Sequence, residues 1–302
     1  MNRSEVAVSR LAPELPPGTP WSYRTKRFRL LAHDFAIRST HEGIGRYLDE
    51  LFAPSAIEGE PETWYSILSG LPGRQSDALH IGDGRAVHTD RTQFVLTYLL
   101  WHINQQVIAK SCANYVLVHA AAAARGGVGV VMPAASEAGK TTLVAGLVSA
   151  GFGYLSDEAA AIDPETGLIV PFAKPLSIDQ GSWAVLAQME PRLDDATRAY
   201  VAQQWQVSPQ AIRPGSVSGR VRPHLVVLPT YRQEAETRLE PVSRVDTLLA
   251  MLRHTFHFEQ AGRRNFDVLA RLVASVDCYR LTVGNLNEAC EALEGVVEAR
   301  SP

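Results

Sequence analysis

The chain has 302 residues, of which 46% are hydrophobic and 20% are charged, a mixture typical of a globular protein with a sizeable core. Its 29 basic and 32 acidic residues give a formal net charge of -3. This charge excludes the strongly basic surface that concentrates nucleic acid or an anionic membrane, so we predict neither as a partner.

The N-terminal sequence and the cysteines indicate a cytoplasmic protein. The first residues contain no apolar run resembling a secretion signal, and no later apolar stretch reaches the roughly 18 residues of a membrane span. The three cysteines, Cys112, Cys278 and Cys290, are far apart and lack C-x-x-C spacing. We therefore predict neither a disulfide framework nor a zinc site, and expect the cysteines to be small buried hydrophobic residues.

The first third of the chain is predicted to be a leader followed by a small α+β region. Residues 1–20 crowd four prolines among polar residues, which is typical of a flexible leader. Within residues 21–91, one segment, GIGRYLDELF, predicts a short helix, and three segments predict strands: RFRLLAHDFAIRS, TWYSILSG and DALHIGDGRAVHTD. The turn Gly82-Asp83-Gly84 favours a hairpin.

Residues 92–302 are predicted to form one α/β domain. An apolar residue every fourth position from Val95 to Val107 predicts an amphipathic helix, and two buried strands, YVLVHAAAAA and VGVVMPA, follow around Gly126-Gly127. A helix is expected to begin near Lys140. Further strands are predicted at GFGYLSDEAAAID, GLIVPFAKPLSI, HLVVLPTY and CYRLTV, and further helices at AVLAQME, DATRAYVAQQW, VDTLLAMLRHTF, FDVLARLVASV and LNEACEALEGVV.

The most informative motif lies between the strand VGVVMP and the helix TTLVAGLVSA. The segment AASEAGKTT, residues 134–142, fits the P-loop pattern with alanine at the first glycine position. Backbone N–H groups of such a turn and the positive end of the helix together bind phosphate. We predict that ATP or GTP binds to eight residues: Ala135, Ser136, Glu137, Ala138, Gly139, Lys140, Thr141 and Thr142.

Two side chains of this motif carry specific chemistry. Lys140 would reach the β- and γ-phosphates, and the Thr141 hydroxyl would ligate Mg²⁺. Ala134 and Glu137 count against the motif, since alanine is less permissive than glycine and an acid repels phosphate; we expect Glu137 to point outward. The alternative is an ordinary strand-loop-helix junction with an exposed lysine.

Two acids and a histidine complete the predicted site. Asp157 and Glu158 end the next predicted strand, where one carboxylate could hold Mg²⁺ and another could orient an acceptor hydroxyl and take its proton. A solvated strand end is the alternative. His119 precedes the Gly126-Gly127 turn, which should make its strand an antiparallel neighbour of the P-loop strand. By itself, such a histidine is more often a core residue than a catalytic one.

Taken together, the order of histidine strand, glycine turn, P-loop and paired acids over residues 117–162 resembles the HPr kinase/phosphorylase family, which is similar in fold to phosphoenolpyruvate carboxykinase. The resemblance implies a P-loop kinase core with a nucleoside triphosphate and Mg²⁺ as cofactors. It also implies roles for Asp157 as catalytic base, for Glu158 at the metal, and for His119 beside the transferring phosphate.

The sequence departs from that family in two ways. The second acid is Glu158 where the family has aspartate, and the glycine- and arginine-containing signature associated with HPr recognition is not recognisable. The resemblance is therefore to a looser kinase branch, whose acceptors are serines of natural-product precursor peptides or small hydroxylated molecules. Residues 21–91 are expected to cap the kinase domain or recognise its substrate.

Two other functions stay open. The chain could be a nucleotide-binding adaptor that presents a peptide to partner enzymes without catalysis, or a carboxykinase-like decarboxylating enzyme, although we find no additional basic and metal-binding positions for the latter. Lys174, Arg220 and Arg222 are weaker candidates for phosphate contacts. The acceptor and the oligomeric state, including a homo-oligomer, also stay open.

Overall fold

The computed structural model describes residues 7–9, 15, 18–70, 76–82, 84, 86–135 and 137–300. These residues form a mixed α/β protein with several sheets, as the sequence predicts. No helix within the described ranges is long and apolar enough to cross a membrane. Most of the predicted leader, Asp83 of the predicted hairpin turn and Ser136 of the predicted phosphate-binding segment lie outside the described residues.

The described residues divide into two compact units. The first contains the described residues up to Val107 together with Pro191–Ser208, and the second contains Ile108–Glu190 and the residues from Pro209 onward. Up to residue 111 the elements are β1 (Ala7–Ser9), β2 (Tyr23–Arg24), β3 (Arg27–Leu30), β4 (His33–Ser39), α1 (Glu42–Phe52), β5 (Ala56–Ile57), β6 (Thr63–Leu68), β7 (Asp77–Ile81), β8 (Ala86–Thr89) and α2 (Thr92–Ser111).

The first unit is built on an eight-stranded sheet. Its strand order is β1-β8-β7-β6-β4-β3-β5, with β2 paired to β4, and its strands are antiparallel except for the parallel pair β4 and β6. The predicted strand RFRLLAHDFAIRS is the hairpin of β3 and β4, because the chain turns at Leu31, where φ is 50°. Phe35 contacts Phe28, Phe52 and Tyr65 through its ring, which places the aromatic core between this sheet and α1.

The remaining elements follow the predicted order in outline, but three predicted strands, YVLVHAAAAA, GFGYLSDEAAAID and GLIVPFAKPLSI, are each two strands. The predicted helix DATRAYVAQQW is only a four-residue helix followed by a 3-10 turn, and the short elements Gln204–Val207, Pro209–Ile212 and Arg238–Pro241 were not predicted. In chain order, the remaining elements are β9 (Val116–Val118), β10 (Ala120–Arg125), β11 (Val128–Pro133), α3 (Lys140–Ser149), β12 (Gly153–Ser156), β13 (Ala160–Ile162), β14 (Ile169–Val170), β15 (Leu176–Asp179), α4 (Asp195–Arg198), β16 (Gln204–Val207), α5 (Pro209–Ile212), β17 (Pro223–Tyr231), β18 (Arg238–Pro241), α6 (Arg244–Arg253), α7 (Gly262–Ala274), β19 (Asp277–Val283) and α8 (Leu286–Glu298). The predicted helix AVLAQME is only a 3-10 turn, Ala187–Met189.

The second unit contains a six-stranded and a three-stranded sheet. The larger has the order β12-β10-β11-β17-β19-β18, and the smaller has the order β14-β13-β9. Strand β11 lies between antiparallel β10 and parallel β17, so the predicted antiparallel pairing across Gly126-Gly127 is confirmed. The alanines of β10 are all buried, and α3 packs on this strand. The loop that follows β11 therefore begins at the carboxyl edge of the sheet, where α/β proteins commonly bind ligands.

The division into units differs from the predicted boundary between residues 91 and 92. Helix α2 belongs to the first unit as far as Val107, and Pro191–Ser208 returns to that unit. Contacts within the first unit hold the returning segment: the Tyr47 hydroxyl donates to the Gln206 carbonyl at 2.5 Å, and Ser69 and Tyr200 pair through their hydroxyls. Such long-range contacts produce no local hydrophobic period, which explains why the sequence did not indicate them.

Gly284 offers a test of this packing. A Cβ at this position would lie 1.7 Å from the Ala235 carbonyl oxygen, so we expect Gly284→Ala to lower the free energy of unfolding by about 1–3 kcal/mol. Gly295 is a matched control, because it is exposed within α8 and a Cβ there would meet nothing within 4 Å. Gly295→Ala should raise the free energy of unfolding by about 0.5–1 kcal/mol. Denaturant unfolding of both variants checks this, and equal stabilities would contradict the packing.

Candidate functional site

The segment between β11 and α3, which we call the 134–139 loop, contains two residues in the left-handed region of backbone conformation. Gly139 has φ 82° and immediately precedes the first residue of α3, and Glu137 also has a positive φ, 65°. Space does not require glycine at position 139, since a Cβ there would meet only Tyr231, at an ordinary 3.7 Å. The positive φ is therefore the reason that glycine suits this position. Glu137 is exposed, in agreement with the expectation that it points outward.

Lys140 folds back over this loop. Its ammonium group donates to the carbonyl oxygens of Ala134 at 2.9 Å and Ala135 at 2.7 Å, and the residue is only 6% exposed. Burial lowers the pKa of Lys140, whereas the nearby carboxylates of Glu158 and Asp157 act to raise it. The amine therefore lies inside the loop and close to two acids, in the position from which a lysine could reach a bound anion.

His119 lies beside the loop, at a point where the chain changes sheets. Strand β9 belongs to the three-stranded sheet and β10 to the six-stranded sheet, and His119 is the residue between them. Its carbonyl accepts from the Ala134 N–H at 3.4 Å, and its own N–H donates to the His254 carbonyl at 2.7 Å. Its ring contacts those of His254 and Phe256.

The paired acids lie at a matching change of sheets. Strand β12 pairs with β10 and β13 pairs with β9, so the chain crosses between the same two sheets at residues 157–159. The Ser156 hydroxyl accepts from the backbone N–H groups of Glu158 and Ala159, at 3.1 and 3.0 Å, which fixes this crossing. The two crossings bring Asp157 and Glu158 to the loop, as the sequence predicted.

Asp157 is buried within a set of hydrogen-bond donors. Its Oδ1 accepts from the Tyr154 hydroxyl at 2.8 Å and lies 2.8 Å from the ammonium group of Lys174, while its Oδ2 accepts from the Thr141 hydroxyl at 3.1 Å. Burial, followed by the charge of Asp157 and its hydrogen bond, raises the pKa of Tyr154 well above its usual value, so the phenol keeps its proton and donates. The carboxylate thus directs one oxygen to the first turn of α3.

Glu158 is less buried and lies beside His119. Its carboxylate is 3.9 Å from His119 Nε2, and its side chain is 35% exposed. Burial raises the pKa of Glu158, and the charge of Asp157 raises it further, whereas Lys174 and Lys140 lower it. Burial also lowers the pKa of His119 to about 4, assisted by the positive charges of Lys140 and His254. Because the imidazole is neutral at pH 7, its contact with Glu158 is not an ion pair.

The metal ligands predicted from the sequence, Thr141 and Glu158, are oxygen donors of the kind that magnesium prefers. Within the described residues, no three His, Cys, Asp or Glu side chains are grouped so that they could hold a metal ion by themselves. Mg²⁺ is commonly bound by one or two carboxylates together with substrate phosphates and water, rather than by an all-protein cage. Thr141 lies in the first turn of α3 and Glu158 is partly exposed beside His119, so one hydroxyl and one carboxylate are present for such a shared site.

The three weaker candidates for phosphate contacts differ in position: Lys174 pairs with an acid of the site, whereas Arg220 and Arg222 lie away from the loop. Lys174 is a buried partner of Asp157, not a surface cation. Arg222 accepts through its carbonyl from the Gly129 N–H at the start of β11, the end opposite the loop, and Arg220 pairs with Asp163. A cavity of about 230 Å³ at that opposite end is lined by Arg222, Arg271 and Thr166, without any residue of the loop.

Sequence reasoning missed three neighbours of the site. Tyr154 binds Asp157, Ser182 shares a 2.6 Å hydrogen bond with the hydroxyl of Thr142, and His254 lies against His119. Tyr154 is in the same predicted strand as the acids, so its proximity along the chain was a signal. Ser182 and His254 come from distant segments, and only the tertiary structure brings them here.

The lowered pKa of His119 gives a testable pH dependence. Between about pH 4 and the ordinary histidine value of about 6.5, the unfolded chain binds more protons than the folded protein, so stability falls as the pH falls. We expect His119 to contribute a loss of about 3 kcal/mol at most over this range. Denaturant unfolding at several pH values should show a shallower acid loss for His119→Asn, and no such change for the exposed His257→Asn. Equal slopes for His119→Asn and the unchanged protein would contradict the burial argument.

Comparisons with known proteins provide no family assignment. No protein-family model matches the sequence, and a search of curated proteins finds no match. A function for this chain is therefore argued from the geometry of the site.

Proposed function

We propose that this protein is a Mg²⁺-dependent kinase that transfers the γ-phosphoryl group of ATP or GTP to an acceptor hydroxyl. One observation supports this proposal above all others: the 134–139 loop, Lys140, His119 and both acids lie together at the carboxyl edge of the six-stranded sheet. An ordinary strand-loop-helix junction with an exposed lysine would not bury the lysine beside two carboxylates.

Phosphate binding is assigned to residues 135–142. The N–H groups at the start of α3 have no partners within the helix and point toward the loop, where they favour an anion. Lys140 would exchange the carbonyls of Ala134 and Ala135 for phosphate oxygens, and an ammonium group makes stronger bonds to charged oxygens than to neutral carbonyls. Glu137 is exposed, so its carboxylate can extend into solvent away from the proposed phosphate site.

Thr141 and Glu158 would hold the metal, with Asp157 accepting the hydrogen bond of Thr141. Bound Mg²⁺ supplies neutralisation of the charge that develops on the phosphate oxygens. The Thr141 hydroxyl can keep its hydrogen bond to Asp157 while presenting oxygen lone pairs to a cation, because a hydroxyl has one donor and two acceptor sites. Asp157 would thus orient the hydroxyl that binds the metal.

The transfer step uses Asp157 as the proton acceptor. The acceptor hydroxyl gives its proton to this carboxylate while its oxygen forms a bond to the γ-phosphorus, and the bond from that phosphorus to the β–γ bridging oxygen breaks to release the nucleoside diphosphate. His119 lies next to Glu158 at the entrance of the loop, so it is assigned an auxiliary role beside the transferring group. Its partial exposure, 19% of the side chain, allows such contact.

The likeness to the HPr kinase/phosphorylase family supports the same reaction. The proposed acceptor is a serine of a peptide or protein or a small hydroxylated metabolite, as in natural-product biosynthesis. The missing glycine- and arginine-containing signature argues against HPr itself. Residues 21–91 are proposed to cap the kinase domain or to recognise the acceptor. The direct experiment is mass spectrometry of candidate peptides and metabolites incubated with the protein, Mg²⁺ and labelled nucleotide.

A nucleotide-binding adaptor without catalysis is the second candidate. Alanine at position 134 and Glu137 in the loop favour it, because both depart from an optimal phosphate site. The buried Asp157 favours chemistry, since an adaptor has no need of a carboxylate held beside the Thr141 hydroxyl. Nucleotide binding without transfer to any acceptor would support the adaptor.

Nucleotide affinity should depend on Lys140. We expect Lys140→Ala to weaken triphosphate binding by about 2 kcal/mol, because a charge-assisted contact to phosphate is lost. Isothermal titration calorimetry with ATP and GTP in the presence of Mg²⁺ measures this, and Lys110→Ala is a control outside the loop. Equal affinities of the Lys140 variant and the unchanged protein would refute the phosphate-binding assignment.

Asp157 should affect turnover rather than nucleotide affinity. Asp157→Asn keeps the shape of the side chain but cannot take a proton, so we expect nearly normal nucleotide affinity and a loss of transfer of at least about a hundredfold. Glu158→Gln is the matched variant, and it should raise the Mg²⁺ concentration needed for half-maximal rate. If Asp157→Asn retained turnover while Glu158→Gln lost it at saturating Mg²⁺, Glu158 would be the base.

A further inference from the structure

We propose that Lys174 is a positioning residue of this site: its ammonium group balances the charge of Asp157 and so leaves Lys140 available for phosphate. The inference rests on the proposed binding of phosphate by Lys140. The sequence indicated Lys174 only as a weaker candidate for a phosphate contact, and its pairing with Asp157 emerges only in the structure.

Lys174 is held in place from several directions. Its ammonium group is 2.8 Å from Asp157 Oδ1 and donates to the Pro175 carbonyl at 3.0 Å. Its backbone N–H donates to the Phe172 carbonyl at 2.9 Å, and its carbonyl accepts from the Tyr154 hydroxyl at 3.2 Å. Tyr154 therefore contacts both members of the pair, which fixes the ammonium group against one oxygen of the carboxylate.

Burial makes the pairing of Lys174 with Asp157 important for the charges around it. Asp157 and Lys174 are 3% and 2% exposed, so an unpaired charge on either would be costly. Two ammonium groups and two carboxylates share this region, and the charges of Asp157 and Glu158 both act on Lys140. An Asp157 carboxylate without Lys174 would attract Lys140, the other ammonium group whose charge interacts with it, because charges attract strongly where water is excluded.

The observed hydrogen bonds agree with separate roles for the two lysines, Lys174 as the partner of Asp157 and Lys140 as the proposed phosphate ligand. Lys140 donates to the neutral carbonyls of Ala134 and Ala135, contacts that a charged phosphate can replace, while Asp157 is bonded to Lys174. Lys174 is poorly placed to bind phosphate itself, because two of its three donor positions serve Asp157 and Pro175 and its side chain is 3% exposed. Its role is therefore exerted through Asp157.

A set of four proteins tests the proposal: the unchanged chain, Lys174→Met, Asp157→Asn and the double variant. Methionine keeps the length and flexibility of lysine without the charge. We expect Lys174→Met to weaken ATP and GTP binding at least tenfold in calorimetry with Mg²⁺, because Asp157 captures Lys140. The double variant has no uncompensated carboxylate, so its affinity should return to within about threefold of that of Asp157→Asn. Lys26→Met, at an exposed lysine, should bind normally.

The other outcomes of this experiment concern a purely structural role of Lys174 and the folding of its variants. A merely structural role of Lys174 would lower the melting temperature without changing the affinity of the folded protein, so a folded Lys174→Met protein with normal affinity overturns the proposal. If Lys174→Met does not fold, the double variant decides, and its failure to fold or to bind nucleotide overturns the proposal as well. If the unchanged protein itself binds neither ATP nor GTP, the proposed kinase function is refuted instead.

Discussion

The site depends on the contacts of one buried carboxylate, that of Asp157. Asp157 is surrounded by the Lys174 ammonium group and the hydroxyls of Tyr154 and Thr141, which supply both a counter-charge and directional hydrogen bonds. A carboxylate in a buried position without such partners would destabilise the fold. The same contacts connect β12, the segment after β14 and the first turn of α3, so the stability of this region and the geometry of the proposed chemistry have one origin.

The fold places this carboxylate by two matching changes of sheet. The chain passes from the three-stranded to the six-stranded sheet at His119, and passes back at Asp157 and Glu158. Because β9 pairs with β13 and β10 pairs with β12, the two crossings lie opposite each other. Each crossing interrupts a regular strand just where a side chain is needed beside the loop. The buried alanines of β10 let α3 pack closely on this strand, which brings Lys140 to the same place.

Residues of the same chemical type have different electrostatic environments in this site. Lys140 and Lys174 are both buried lysines, but one donates to replaceable carbonyls and the other is paired with an acid. Asp157 is buried and has three bonding partners within the protein, whereas Glu158 is partly exposed and contacts a neutral histidine. The two lysines differ, and the two acids differ, because of how deeply each side chain is buried and which group lies nearest to it. Residue type alone would not distinguish them. In the proposed reaction, they separate phosphate binding, metal binding and proton transfer.

The sequence by itself determined most of the strands and helices of the second unit, the glycine before α3, and the grouping of His119, Lys140 and the paired acids, but not α5, β18 or the division of three predicted strands into two each. These features depend on short-range patterns: a buried strand, a glycine, a lysine at a helix start and a turn that forces antiparallel pairing. Only the tertiary structure decided that Lys174 pairs with Asp157, that Ser182 and His254 join the site, and that residues 191–208 return to the first unit. Those contacts join segments far apart in the chain. A local pattern of hydrophobic residues or motif spacing cannot predict which distant side chain will neutralise a buried charge.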